Sequence, residues 1–144
     1  MAAMDSSEQN ESQRWLERFL GDHQAVAGTV HVLDKETQIL HLQAAVNIPP
    51  KVQDATRVIP RGKGMAGLAL ERHEAVSTCN LADSEGNPDV KPGARAVDAA
   101  AAVALPVDDA AGEVRAVVGI AYPNERPIDE ALLGPLRAAV ATLP

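Results

Sequence analysis

The chain has 144 residues, enough for one domain with a core of its own. Its formal charge of -7 gives a surface that repels phosphate backbones, which disfavours general nucleic-acid binding. One cysteine, Cys79, excludes an internal disulfide and a cysteine-rich metal site, and aromatics at only 2 % leave the core to Ala, Val, Leu and Ile.

Residues 1–10 are small, polar and acidic and read as a disordered leader, without the basic flank and apolar run of a secretory signal. From residue 11 the pattern turns helical. Trp15, Leu16, Phe19 and Leu20 form one apolar stripe, and Gly21 is placed to stop the helix. That stripe must pack on the domain's own sheet or on a second subunit. Residues 26–33 carry a strand signature, with Val30 and Val32 alternating with Thr29 and His31. A polar turn at 34–37 and a second strand at 38–45 complete an antiparallel hairpin. Asn47-Ile48-Pro49-Pro50 breaks it, residues 51–55 suit one helical turn, and 56–59 form a short strand closed by Pro60.

Glycines 62 and 64 permit unusual backbone angles, and the helix-forming run that follows to residue 72 uses small residues that allow close approach to a neighbour. His73-Glu74 ends it, and 75–78 returns as a short strand. The stretch 80–94 is rich in turn formers and long enough to be functional. Residues 97–107 are nearly continuous Ala and Val, a buried strand too short to cross a membrane. After a turn at 108–112, a strand at 113–122 forms the second hairpin, taken as the centre of the sheet. The last segment, 129–143, presents Leu132, Leu133, Leu136, Ala139, Val140 and Leu143 as a broad apolar face, with Asp129 as its cap. Pro135 either kinks this helix or starts its main part after a turn ending near Gly134.

Several of these pieces, in this order, resemble a GAF domain over roughly residues 25–143. They are Gly28-Thr29-Val30-His31-Val32-Leu33-Asp34, Ile59-Pro60-Arg61-Gly62-Lys63-Gly64-Met65-Ala66-Gly67-Leu68-Ala69, Ala75-Val76-Ser77-Thr78-Cys79-Asn80-Leu81, Ala104-Leu105-Pro106-Val107 and Gly112-Glu113-Val114-Arg115-Ala116-Val117-Val118-Gly119-Ile120. The resemblance implies one α/β (α+β) domain over 11–144. Its fold is GAF-like or profilin-like, with a central antiparallel sheet of five or six strands and the terminal helices packed on one face. Loops on the other face enclose a small-molecule pocket. Relatives bind cyclic nucleotides, tetrapyrroles, small metabolites or nothing known, and many dimerise through their terminal helices.

One enzymatic branch that the chain resembles, the free methionine-R-sulfoxide reductases, needs an attacking and a resolving cysteine. It carries one where this sequence has Ala66 and another near Ala96-Val97-Asp98, and Cys79 has no second thiol, so no catalytic residue is assigned. His31 and His41 suit cross-strand neighbours, but a metal pair lacks its third ligand and no metal is assigned. Gly62-x-Gly64-x-x-Gly67 matches the start of a dinucleotide fingerprint without the parallel βαβ unit, and reads as a tight turn. Amides at the start of that helix, with Arg61 and Lys63, can meet an anion.

The candidate ligand contacts are Arg61, Lys63, Cys79, Asn80, Asp83, Arg95 and Asp98, around a pocket between the sheet and the 47–58 and 80–95 loops. Cys79 otherwise reads as a strand-end residue facing the core. Trp15, Leu16, Phe19, Leu136 and Val140 are the candidate homodimer contacts. Taken together, these residues describe a cytoplasmic sensory or regulatory module with a small-molecule effector and no catalytic machinery, bound neither to nucleic acid nor to membrane. The residues leave its cofactor unknown. The alternative is a ligandless dimerisation or protein-interaction module, its pocket collapsed onto Ala and Val side chains.

Overall fold

Near-continuous burial along two long strands organises the computed structural model, which describes residues 6–77, 101–123 and 129–144. The elements are α1 (Ser6–Asp22), β1 (Ala27–Asp34), β2 (Ile39–Val46), α2 (Pro50–Ala55), β3 (Val58–Pro60), α3 (Gly64–Arg72), β4 (Val76–Ser77), β5 (Ala101–Asp108), β6 (Val114–Tyr122) and α4 (Glu130–Val140). The six strands form one antiparallel sheet in the order β3-β2-β1-β6-β5-β4. Its centre is the β1–β6 pair, which joins the two hairpins, rather than the second hairpin alone.

Helices α1 and α4 cover one face. Leu16, Phe19 and Leu20 of α1, with Leu136 and Val140 of α4, pack on Val30, Val103, Leu105, Val118 and Ile120. On the opposite face α3 presses Leu68, Ala69 and Leu70 against Leu40, Val76, Ala104 and Val117. A register shift divides β2 between the two faces. Val30 pairs with Ala44 but His31 pairs with Leu42, so Gln43 is the extra residue of a bulge. Ala44 joins the core under α1, while Leu40 joins the core under α3. Gln43 Nε2 donates to Ser12 Oγ at 2.5 Å, and Gln13 exchanges two hydrogen bonds with the Ala45 backbone, which ties α1 to the bulged strand.

The structure revises several expectations. Backbone from Ser6 onward is helical, so the polar stretch 6–10, free of Pro and Gly, extends α1 instead of remaining a leader. Gly21 does not stop α1; the helix runs to Asp22, and the left-handed residue beyond it is Gln24 (φ 59). Pro135 lies inside a helix that already starts at its Asp129 cap, whose Oδ1 accepts from Leu132 N at 3.1 Å. The amide that Pro135 lacks would have bonded Ala131, an exposed residue whose carbonyl water can satisfy. Leu16 and Leu136 are 0 % exposed and Phe19 and Val140 are also buried, so these four spend their apolar surface on the protomer's own sheet and are not free to meet a second copy. Trp15 is half-buried, stacked on Phe19 at 4.8 Å, with Nε1 donating to Thr142 Oγ1 at 2.9 Å.

Candidate functional site

The two faces of the central strands differ in side-chain volume. Toward α1 and α4 they present Val103, Leu105, Val118 and Ile120; toward α2 and α3 they present Ala102, Ala104, Gly119 and Ala121. Small residues there cannot fill the space between the sheet and the α2–α3 segment. The result is an open cavity of about 170 Å³. Its floor is Ala27, Thr29, Ala102, Ala104, Gly119 and Ala121. Its roof is Ile48, Val52, Thr56 and Ile59 from the segment around α2, with Gly64, Met65 and Ala66 from the start of α3.

A tight arch holds the roof in place. Gly62 adopts φ +84, its N–H donates to Gly67 O at 2.8 Å, and Lys63 N donates to Pro60 O at 3.1 Å. The ring closes with Gly67 N donating to Lys63 O at 3.0 Å. A Cβ on Gly67 would stand 2.5 Å from Pro60 O, so only glycine allows α3 this close to the turn that precedes it.

His31 is the distinctive polar group of the wall. It sits on β1 between Val117 of β6 and Leu42 of β2, is 2 % exposed, and places Nε2 2.8 Å from Thr56 O. A carbonyl only accepts, so Nε2 carries the proton. Burial pushes the imidazole pKa below its ordinary value of 6.5, the Thr56 hydrogen bond opposes this, and His41 adds to it. The ring is therefore neutral, and Nδ1 is a buried bare acceptor with no hydrogen-bond partner among the described residues. Thr56 is itself fixed as the C-cap of α2, its Oγ1 donating to Val52 O at 2.8 Å.

The expected site residues fall elsewhere or outside the described residues. Arg61 is exposed and donates to Gln38 Oε1 at 3.1 Å, in a mixed-charge cleft with Lys35, Glu71 and Glu113. Lys63 is the exposed N-cap of α3, next to the pocket residue Gly64. Cys79, Asn80, Asp83, Arg95 and Asp98 lie outside the described residues. His41 pairs with Val32, one position from the His31–Leu42 pair, so the two histidines point to opposite faces. Among the described residues no cluster of three His, Cys, Asp or Glu side chains can hold a metal, and no helix is long and apolar enough to cross a membrane.

Sequence reasoning did not single out His31 or Thr56 as site residues. The signal for His31 was present: a polar pair, Thr29 and His31, on one face of a strand whose other face is apolar. Ala66, where the sulfoxide-reductase resemblance requires a cysteine, contributes a methyl group to the pocket. With one cysteine in the whole chain, two-thiol chemistry has no second thiol.

Comparison with known proteins agrees with this architecture. No curated protein sequence matches the chain. Among solved structures, a type II free methionine-R-sulfoxide reductase from Thermoplasma acidophilum superposes with a TM-score of 0.71 at 17 % identity, covering 96 % of this chain and 92 % of that one. The GAF domain of an Acinetobacter phosphoenolpyruvate-protein phosphotransferase gives 0.67 at 16 % identity, covering 99 % and 92 %. NreA from Staphylococcus aureus, mutated in its nitrate binding site, gives 0.66 at 15 % identity, covering 90 % and 93 %. At such identities the likeness is one of fold. The family model described as GAF domain matches residues 9–143, and with that span and the six-stranded antiparallel sheet between its helices, the chain belongs to the GAF domain family.

Proposed function

We propose that this protein is a small-molecule-sensing regulatory module whose ligand occupies the cavity between the sheet and the α2–α3 segment. The open cavity is the observation that carries the reading. Protein interiors are close-packed, and a void lined by Ala and Gly loses dispersion contacts on every side. A ligandless interaction module would gain from collapsing such a space, whereas here the Gly62–Gly67 arch holds it open. The candidate contacts Cys79, Asn80, Asp83, Arg95 and Asp98 belong to the stretch joining β4 to β5, which leaves from Ser77 and returns at Ala101, beside the floor residues Ala102 and Ala104. On this reading that stretch supplies the mouth of the pocket, and Lys63 stands at the rim.

The net charge of -7 supports a partner that is not nucleic acid, and the single thiol suits a reducing cytoplasm. A homodimer, on the same reading, uses the exposed stripe Ala131, Gly134, Pro135, Ala138 and Ala141 of α4 and its end in place of the buried leucines.

Native mass spectrometry of gently purified protein, compared with its denatured mass, tests the main claim. A non-covalent adduct that disappears in Ala102→Leu supports it. A bare mass, together with an unchanged Tm across a panel of small metabolites, overturns it.

A further inference from the structure

A second opening lies at the hairpin end of the sheet. The stretches 78–100 and 124–128, outside the described residues, depart from the end where Ala101 pairs with Tyr122. At the opposite end, where Asp108 pairs with Val114, the hairpin turns at 34–38 and 109–113 stand beside the C-terminal half of α3. They enclose a cleft of about 340 Å³ floored by Leu33, Leu70 and Val114.

Opposite charges are held apart across this cleft. Of the residues that line it, Lys35 is paired with Asp109, and His73 Nε2 lies 2.7 Å from Asp108 Oδ1. Arg61, Glu71 and Glu113 have no ion-pair partner among the described residues, and Glu113 attracts Lys35 only from beyond contact. The Arg61 guanidinium rests instead on a neutral group, donating from Nη1 to Gln38 Oε1 at 3.1 Å. Gln38 has its own amide tied, with Nε2 donating to Lys35 O at 2.9 Å, and takes a left-handed backbone angle (φ 60) that side chains rarely adopt. The Glu71 carboxylate is packed against the arch, where a Cβ on Gly62 would lie 3.3 Å from Oε1. One cation and two carboxylates are thereby left exposed around an apolar floor, unpaired with each other.

Beyond the pocket reading and independent of it, we infer that this cleft is a second ligand site, for a free α-amino acid with a cationic side chain. The ligand carboxylate lies on the Arg61 guanidinium, which presents paired N–H donors to such a group. Its two cationic groups meet Glu71 and Glu113, and the methylenes between them cover Leu33, Leu70 and Val114. A simple anion is repelled by the two carboxylates, and a diamine leaves Arg61 without a counter-ion. Exposed ion pairs are individually weak, so selectivity comes from making all three at once.

Matched probes test this on the full chain, labelled with nitrogen-15, at low ionic strength. L-lysine is compared with L-norleucine, which lacks the side-chain ammonium, and with cadaverine, which lacks the carboxylate. Amide shifts at Gly112 and Glu113 and the Arg61 Nε–H resonance report the cleft, while Thr29 and Ala104 report the cavity. Lysine is expected to bind tightest, with norleucine and cadaverine each about fivefold weaker, the factor a good exposed ion pair supplies. Added salt should weaken lysine binding. Arg61→Gln should equalise lysine and cadaverine, and Glu71→Gln combined with Glu113→Gln should equalise lysine and norleucine. Equal affinities of the three for the wild type, or no saturable shift at Gly112, overturn the inference and leave the pocket reading untouched. So do lysine shifts at Thr29 and Ala104 with Gly112 unmoved, which would put the amino acid in the cavity instead. If a variant does not fold, the wild-type ratios decide alone.

Discussion

Gly67→Ala and Gly21→Ala are the same chemical change in two helices, and the structure gives them opposite signs. Alanine is intrinsically better than glycine in a helix by up to about 1 kcal/mol, and less near a helix end. At Gly21, penultimate in α1, an added Cβ meets nothing within 4 Å, so a gain of about 0.5 kcal/mol survives. At Gly67 the Cβ would lie 2.5 Å from Pro60 O, 3.1 Å from Gly62 N and 3.2 Å from Gly62 C. All three are backbone atoms of the arch, so no side chain can swing aside. Relief requires moving α3 or opening the Gly62–Gly67 ring, and overpacking of this kind costs about 1–3 kcal/mol. Allowing for the helix gain, Gly67→Ala should lose roughly 1.5 kcal/mol, or about 3–6 °C in Tm for a domain of this size. Gly21→Ala should gain roughly 1–2 °C on the same scale. Urea and thermal unfolding followed by Trp15, the sole tryptophan, measure both. A Gly67→Ala protein as stable as wild type would refute the proposed role of the arch.

Acid should weaken the fold through His31. Its folded pKa is lowered, so below its ordinary value of 6.5 the unfolded chain binds the proton more readily, and stability falls as pH drops from there toward the folded pKa. His31→Phe should flatten this slope below about pH 6.5, measured as urea midpoints, while an unchanged slope would place the titration elsewhere. Ala102→Leu, on the cavity floor and outside both core clusters, should fill the cavity at a cost of no more than about 1–3 kcal/mol and abolish any adduct seen by native mass spectrometry. Asp129→Ala removes the side chain that caps α4 and should cost about 1 kcal/mol in thermal unfolding, with Asp129→Asn close to wild type. Ala138→Glu on the exposed face of α4 should shift any dimer toward monomer by light scattering without lowering Tm, and an unaltered dimer would move the interface off this helix.

Much of the fold was legible because its signals are local. Alternation marked β1 and a nearly continuous Ala/Val run marked β5, Pro49-Pro50 and Pro60 marked the edges of α2 and β3, and Asp129 marked the start of α4. Boundaries went astray where no local rule decides. Gln24, not Gly21, takes the left-handed angle after α1, and Pro135 is tolerated mid-helix because the carbonyl it orphans lies on an exposed residue. The site was harder to read because it depends on which residues share a face, and that depends on register. The extra residue at Gln43 puts Leu42, and not Gln43, opposite His31, which moves His41 from the face of His31 to the other one. Without that bulge the two histidines cannot be assigned to opposite faces. Helix stripes posed the opposite problem. Trp15, Leu16, Phe19, Leu136 and Val140 look alike whether they face a sheet or a second subunit, and only packing shows that four of them are buried at home.

The Ala-rich strand β5 illustrates why a sequence can announce a pocket without naming what enters it. Ala101, Val103, Leu105 and Val107 project toward the α1–α4 layer, and their volume there is matched by Leu16, Phe19 and Leu136. On the opposite side Ala102 and Ala104 meet Gly119 and Ala121 across the β5–β6 ladder, so the pair of strands offers a nearly smooth floor. A floor of methyl groups and bare backbone sets shape but discriminates poorly between molecules of similar size, since one methylene in an apolar pocket is worth only about 1–3 kcal/mol. A buried acceptor discriminates far more sharply, because a molecule without a donor leaves it unsatisfied. Among the described lining residues His31 holds one buried nitrogen without a hydrogen-bond partner, in the tautomer that the Thr56 carbonyl fixes.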